Sequence, residues 1–245
     1  ENFFKYLGIP IVIKKNKNND EIKVRGQKLF KSFKYKVPSD PSSCAFFIVL
    51  TLLSKNCELK IKNMNINESR IGYIKILNKM GAKIKFNNVK KKYGEKLADI
   101  FVKSQPVLKK INCPPSLNSN LIDEFLIIFL VAAKAKGVSN FTNLGELNKK
   151  ESPRLKLGSK LLNHLGIKTR LTGDSIKIFG NPNIDLKKNI HIKDYFKDHR
   201  IFMTSVIAAY TFGGKWKIDD VSSYKSSFPS FLNILKKLGY KFKLS

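Results

Sequence analysis

From Asp40 onward the chain alternates two kinds of apolar stretch. One kind opens with an aspartate and turns at once into an almost unbroken hydrophobic run: "DPSSCAFFIVLTLL", "DEFLIIFLVAAKAKG" and "DHRIFMTSVIAAYTFGG". A helix apolar on all sides has to be buried on all sides, so these three stretches predict internal helices. The other kind carries its hydrophobes at helical spacing and stops at a glycine: "RIGYIKILNKMGAKIKF" from Arg70, "PRLKLGSKLLNHLGIKTRL" from Pro153 and "FPSFLNILKKLGYKFKL" from Phe228. Each predicts an amphipathic helix, a glycine stop and a strand. The two kinds interleave. Asp40 to Gly81, Asp123 to Gly166 and Asp198 to Gly239 span 41, 43 and 41 positions, so one unit of apolar helix, strand, amphipathic helix and strand occurs three times. "ENFFKYLGIPIVIK" at the start reads as the second half of a fourth unit. The expectation is that upstream sequence belongs with it.

Between the helices, "KIK" (60–62), "KIKF" (83–86), "IKI" (176–178), "KWKI" (215–218) and "KFKL" (241–244) alternate charge and hydrophobe. Strands of this pattern have one wet face and one buried face. The fold class that follows is α/β, with three sheets wrapped around internal helices. If those helices run parallel, their starts gather at one end, where free N–H groups and helix dipoles favour anions.

That end carries Asp40, Asp123-Glu124, Lys150-Glu151-Ser152-Pro153-Arg154 and Asp198-His199-Arg200. Capping explains Asp40, and a solvated helix start with Ser152 as cap and Pro153 in the first turn explains part of "NKKESPRLK". Capping does not explain Arg154 or Arg200. A cation at a helix N-terminus opposes the dipole, so both arginines call for an anionic ligand, and their removal is expected to leave the ligand-free fold unharmed.

Charge changes the picture less than its size implies. Against 47 Lys and Arg stand 18 Asp and Glu, a formal net of +29. Such an excess permits polyanion binding, yet the lysines are dispersed among outward strand positions. The one tight run, Lys90-Lys91-Lys92, is expected in a hairpin loop. A nucleic-acid-binding module would need a clustered basic face with exposed aromatics, which the sequence lacks, so no nucleic-acid partner is expected. The longest apolar runs are about half of a membrane span. Cys44, Cys57 and Cys113 form no C-x-x-C pair, which points away from a disulfide framework or zinc site. With no signal-peptide pattern in "ENFFKYLG", a reducing cytoplasm is the expected compartment.

"VPSDPSSCAFF", "LIDEFLIIFLVAAKAKG", "NKKESPRL", "DHRIFM" and "DDVSSYKSSFPSFLNILKKLG", in this order, closely resemble the C-terminal half of the 5-enolpyruvylshikimate-3-phosphate synthase family over essentially the whole chain. The resemblance implies repeated βαβαββ units with helices inside the sheets, an inside-out α/β barrel. It implies residues 1–36 as the last part of an N-terminal domain and 37–245 as a C-terminal domain of three repeats. It also implies transfer of the enolpyruvyl group of phosphoenolpyruvate to the 5-hydroxyl of shikimate 3-phosphate, without metal or other cofactor, in a monomer when full length. Carried over by position, Asp123 matches the carboxylate at the shikimate hydroxyl and candidate base, and Glu151 the proton donor. Lys150 matches a shikimate 3-phosphate contact, and Arg154 and Arg200 match arginines that hold phosphoenolpyruvate. His199 supports the loop it shares with D-H-R, while His164 and His191 match no motif. Where many relatives carry a lysine before the Phe-Pro pair this chain has Ser226, with Lys225 one step out of register, so Lys225 is not assigned to the site. Ser39 stands where P-G-D would have glycine. A UDP-N-acetylglucosamine enolpyruvyl transferase would share the fold, but K-E-S-P-R and D-H-R argue against it.

Overall fold

The computed structural model describes residues 1–16, 19–26, 29 and 32–244. Part of the segment expected to close an N-terminal domain, at 17–18, 27–28 and 30–31, therefore lies outside the described residues. What is described there is α1 (Asn2–Tyr6) and the antiparallel pair β1 (Ile11–Lys15) and β2 (Asp20–Val24).

Three units follow. The first comprises α2 (Pro41–Leu53), β3 (Glu58–Asn65), α3 (Gly72–Lys79), β4 (Lys85–Lys92) and β5 (Glu95–Lys103). The second comprises α4 (Phe125–Lys134), β6 (Gly137–Phe141), α5 (Arg154–His164), β7 (Thr169–Thr172) and β8 (Ser175–Gly180). The third has β9 (Leu186–Ile192), α6 (His199–Thr211), β10 (Gly213–Ile218) and α7 (Phe231–Lys237). In each, the apolar helix crosses between parallel segments: Ser39 bridges Met64, Lys109 and Asn112 bridge Lys136 and Asn140, and β9 pairs with β10. Two units then add antiparallel strands in the orders β3-β5-β4 and β6-β8-β7.

The expected inversion of layers is present. All nine residues from Phe125 to Ala133 of α4 are buried, as is nearly every residue of α2, and the middle of α6. These three helices pack on one another. At roughly 1.5–3 kcal/mol for each large apolar side chain taken from water, their mutual burial dominates the fold. The strands show the wet and dry faces: Lys60 and Lys62 are exposed between Leu59, Ile61 and Met64, and Lys177 lies between buried Ile176 and Ile178.

Four expectations need correction. Residues 241–244 form no strand: among the described residues β10 pairs only with β9, and the backbone of 241–244 joins no sheet. The strand expected at 83–86 starts only at Lys85, since Gly81 with φ +100° and the turn after α3 consume the residues before it. Lys90-Lys91-Lys92 lie inside β4; the hairpin turn is Tyr93-Gly94, both with positive φ. The sheets stay separate in the described residues instead of closing into a barrel.

One close approach positions the site. Gly158 faces α4 so tightly that a Cβ there would stand 2.8 Å from Leu126 Cδ2 and 3.2 Å from Phe129 Cδ2. A glycine at this point lets the start of α5 lie against the start of α4.

Candidate functional site

The three apolar helices begin at one end of the domain. Arg200, in the first turn of α6, donates from Nη1 to the carbonyl oxygen of Asp123 just before α4, at 2.7 Å. At the other end Lys134 Nζ, from the last turn of α4, donates to Thr211 O at the end of α6. The helices therefore run in the same direction, as the anion-end argument requires.

Asp40 caps α2 as expected, its Oδ2 accepting from Ser43 N at 2.8 Å. Asp123 does not cap α4, which has no side-chain cap bond. Its carboxylate instead meets three cations: Lys150 Nζ and Arg154 Nη1, each 3.4 Å from Oδ1, and Arg200 Nη2, 3.9 Å from Oδ2. Burial pushes the Asp123 carboxyl up, but Arg200, Lys150 and Arg154 together outweigh it and hold the group below the usual aspartate value.

Arg154 departs from the sequence expectation. The residue is 1% exposed, and its guanidinium is divided among carboxylates: Nε donates to Asp198 Oδ2 at 3.0 Å, Nη2 pairs with Glu151, and Nη1 faces Asp123. The dipole argument therefore does not by itself require an outside anion at Arg154, because the chain supplies the negative charge. Nor is Ser152 the cap of α5. Its hydroxyl donates to Asp198 Oδ2 at 2.7 Å, and α5 starts after Pro153 with no side-chain cap bond.

Asp198 serves two helices at once. Oδ1 accepts from the backbone N–H groups of Arg200 (2.8 Å) and Ile201 (3.3 Å), capping α6, while Oδ2 holds Ser152 and Arg154 from the start of α5. Burial raises its carboxyl, and the Ser152 hydroxyl, Arg154 and the Arg200 N–H more than offset that, leaving it lowered. The D of D-H-R is legible as a cap; its bond to Arg154 across 44 positions is not.

His199 opens α6 partly buried, and burial first, then the neighbouring Arg200, lowers its pKa below 6.5, so its ring is neutral near pH 7. Glu151 is open to solvent, its side chain 58% exposed. His191 lies apart from the cluster, its Nε2 3.0 Å from Asp219. Ser226 ends the short 3-10 helix Ser223–Ser226, its hydroxyl donating to Ser223 O. Glu124, Ser42 and Arg70, to which sequence reasoning gave no role, extend the polar belt: Arg200 Nη1 lies 3.8 Å from Glu124 Oε1, and Arg70 Nη2 donates to Ser42 Oγ at 3.0 Å. The only signal for Glu124 in the sequence is an acid placed directly before a wholly apolar run.

Lys150, Arg154 and Arg200 against Asp123 and Glu151 make a cluster able to receive an anion and to move a proton. Among the described residues no group of three or more His, Cys, Asp or Glu side chains could hold a metal ion, and no single helix is long and apolar enough to cross a membrane.

A family model described as EPSP synthase (3-phosphoshikimate 1-carboxyvinyltransferase) matches residues 1–235. A 3-phosphoshikimate 1-carboxyvinyltransferase of Ruthia magnifica is 38% identical over 244 residues, covering 100% of this chain and 54% of the relative. One from Thermodesulfovibrio yellowstonii is 36% identical, covering 97% and 54%. The EPSP synthase structure from Acinetobacter baumannii superposes with a TM-score of 0.86 at 30% identity, over 96% of this chain and 53% of that one. The enolpyruvyl transferase NikO from Streptomyces tendae, at 15% identity and TM-score 0.68 over 97% of this chain and 51% of that one, shares the fold. The chain thus spans about half the length of the curated relatives it matches.

Proposed function

Because the chain belongs to the EPSP synthase (3-phosphoshikimate 1-carboxyvinyltransferase) family, we propose that it is the half of such an enzyme that supplies the acid, the base and part of the anion site for enolpyruvyl transfer. Residues 37–245 are the C-terminal domain of three units, and residues 1–36 the last part of the domain before it. The observation that carries this reading is the convergence of Lys150, Arg154 and Arg200 on Asp123, with Glu151 beside them. The substrates are shikimate 3-phosphate and phosphoenolpyruvate, and the compartment is the cytosol.

In the reaction the 5-hydroxyl oxygen of shikimate 3-phosphate bonds to the central carbon of phosphoenolpyruvate while its proton passes to Asp123. The methylene carbon takes a proton from Glu151. In the elimination Glu151, now a carboxylate, takes a proton back from the new methyl group, the double bond re-forms as the carbon–oxygen bond to phosphate breaks, and phosphate leaves with the proton that Asp123 had taken.

An aspartate held below its ordinary pKa is a poor base, and the substrates themselves remove the difficulty. Their phosphates and carboxylates compete for the cations that depress Asp123, and as Lys150, Arg154 and Arg200 turn to them the carboxylate becomes more basic. The same competition draws Arg154 from Glu151 and leaves that carboxyl to face the methylene carbon. Lys150 contacts shikimate 3-phosphate, Arg200 and Arg154 phosphoenolpyruvate, and neutral His199 supports the loop that presents Arg200.

The test is made in the full-length protein of which this sequence is part. Glu151→Gln should lower turnover by about 10²–10⁴-fold with shikimate 3-phosphate affinity retained. Asp123→Asn should lower turnover and also weaken that affinity. Equal, mild effects of the two would overturn the assignment.

A further inference from the structure

Glu124 has no part in the chemistry above, yet it is buried at the middle of the converging helix starts. Its residue is 3% exposed and its Oε1 makes no hydrogen bond. The group is surrounded from three elements. From α2, the Ser42 hydroxyl bonds to its carboxyl, and Ser42 Oγ in turn accepts from Arg70, which lies 3.7 Å from Asp40. From α6, Arg200 Nη1 stands 3.8 Å from Oε1, with His199 beside it on the same turn. From α4's own entry, Asp123 is the adjacent acid. Tyr73, whose hydroxyl donates to Pro41 O, is kept neutral by burial.

The 3.8 Å separation lies just beyond a hydrogen bond. Arg200 Nη1 meanwhile holds the Asp123 carbonyl at 2.7 Å, so a small rotation of the guanidinium would exchange one partner for the other. A buried carboxylate whose cation stands no closer than 3.8 Å is costly, and it can be relieved in two ways: by closing on Arg200 or by taking a proton. Those alternatives present different charges to the site.

We propose that Glu124 is a positioning residue for Arg200: ionised, it draws the guanidinium inward as a buried ion pair, and protonated, it releases that charge to the anion the site receives. The inference rests on the reading that Arg200 holds an anionic substrate group. The protonated state is accessible because burial pushes the Glu124 carboxyl above 4.5, the Ser42 hydroxyl and Arg200 pull it down, and Asp123 raises it again, with a net rise. By reciprocity of linkage, protonation that tightens anion binding requires that a bound anion raise the Glu124 pKa.

The test uses the full-length protein of which this sequence is part and sulfate, an anion whose charge is constant through the range, with Glu124→Gln and Arg200→Ala as variants. In the unmodified chain sulfate affinity should fall about five- to tenfold as pH rises through the Glu124 titration. Glu124→Gln should hold the tighter, low-pH affinity at every pH, apart from the His199 titration that both chains share. Arg200→Ala should abolish the response. A merely structural role would weaken sulfate equally at all pH values in Glu124→Gln, and that result, or the same pH slope in both chains, would overturn the proposal. A second readout needs no ligand: the NMR signal of the Arg200 Nε–H should follow the Glu124 titration and become flat in Glu124→Gln. If sulfate does not bind at any pH, the substrate reading of Arg200 fails, and the guanidinium signal alone decides the coupling. A signal that ignores Glu124 would overturn it.

Discussion

Arg154 and Asp198 form a fully enclosed ion pair, Nε to Oδ2 at 3.0 Å with side-chain exposures of 2% and 0%, joining the start of α5 to the cap of α6. Removing one partner from a buried pair leaves an uncompensated charge and costs about 3–5 kcal/mol. Arg154→Ala should therefore lower stability by an amount of that order in denaturant unfolding of the ligand-free chain. Arg154→Lys should recover only part, because a lysine lacks the planar fork that reaches Asp198, Glu151 and Asp123 together. A stability equal to or above that of the unmodified chain, as the helix dipole alone would give, would mean that the pair contributes nothing.

Asp198 makes the same point through pH. Its folded pKa is depressed below 3.8, so its contribution to stability is complete above that value and is lost as pH falls through the folded pKa. Asp198→Asn should be strongly destabilising near neutral pH, and its deficit should shrink as the solution is acidified below 3.8. A deficit independent of pH would show that shape and capping, not charge, account for the residue.

Gly158 bears on the site from inside α5. A methyl at this position meets Leu126 and Phe129 at distances that require α5 to move away from α4. Gly158→Ala gains helix propensity but should cost about 1–3 kcal/mol net through overpacking, measured as a lowered unfolding midpoint. Unchanged or raised stability would show that the two helices can separate freely.

The three thiols should react at different rates. Burial, with Asp40 adding to it, pushes Cys44 up to about 12, and burial pushes Cys113 up to about 11, so neither supplies much thiolate near neutrality. Cys57 is partly exposed. A thiol reagent should label Cys57 first, with Cys44 and Cys113 following only as the chain unfolds. Mass mapping of the labelled peptides checks the order.

Arg200 separates affinity from stability. It is less enclosed than Arg154, with a side-chain exposure of 12% and ion-pair distances of 3.8 and 3.9 Å. In the full-length protein Arg200→Lys should weaken phosphoenolpyruvate binding by about one to two powers of ten, with a much smaller change in unfolding than Arg154→Ala. The reverse order of effects, measured by calorimetry and thermal unfolding, would place Arg200 with the fold.

Much of this architecture is written in local pattern. A run such as Phe125–Ala133 has no polar face to show water, so its burial follows from composition, and the lysine alternation in β3 and β8 fixes which side of each sheet is wet. Repetition then places the three apolar helices in equivalent positions, which is why the pattern alone brings Asp123 and Arg200 to one end. The strand at 241–244 failed for the complementary reason: alternation gives a segment two faces but cannot supply the neighbour that its backbone needs.

What the sequence by itself determined, then, is which segments are internal, how often the unit recurs, and that the charged motifs "NKKESPRLK" and "DHR" stand at helix starts. The tertiary structure decided who answers those charges. The Arg154 guanidinium looks short of partners along the chain because two of its three carboxylates are 31 and 44 positions away, at Asp123 and Asp198. Sequence spacing carries no information about distances across a packed helix bundle. Only when α4, α5 and α6 close on one another, through contacts as specific as Gly158 against Leu126, does Arg154 become a buried link among three carboxylates while Arg200 is left with looser pairs. That division follows from burial, because the interior requires each charge to be matched within a few ångströms, and solvent does not.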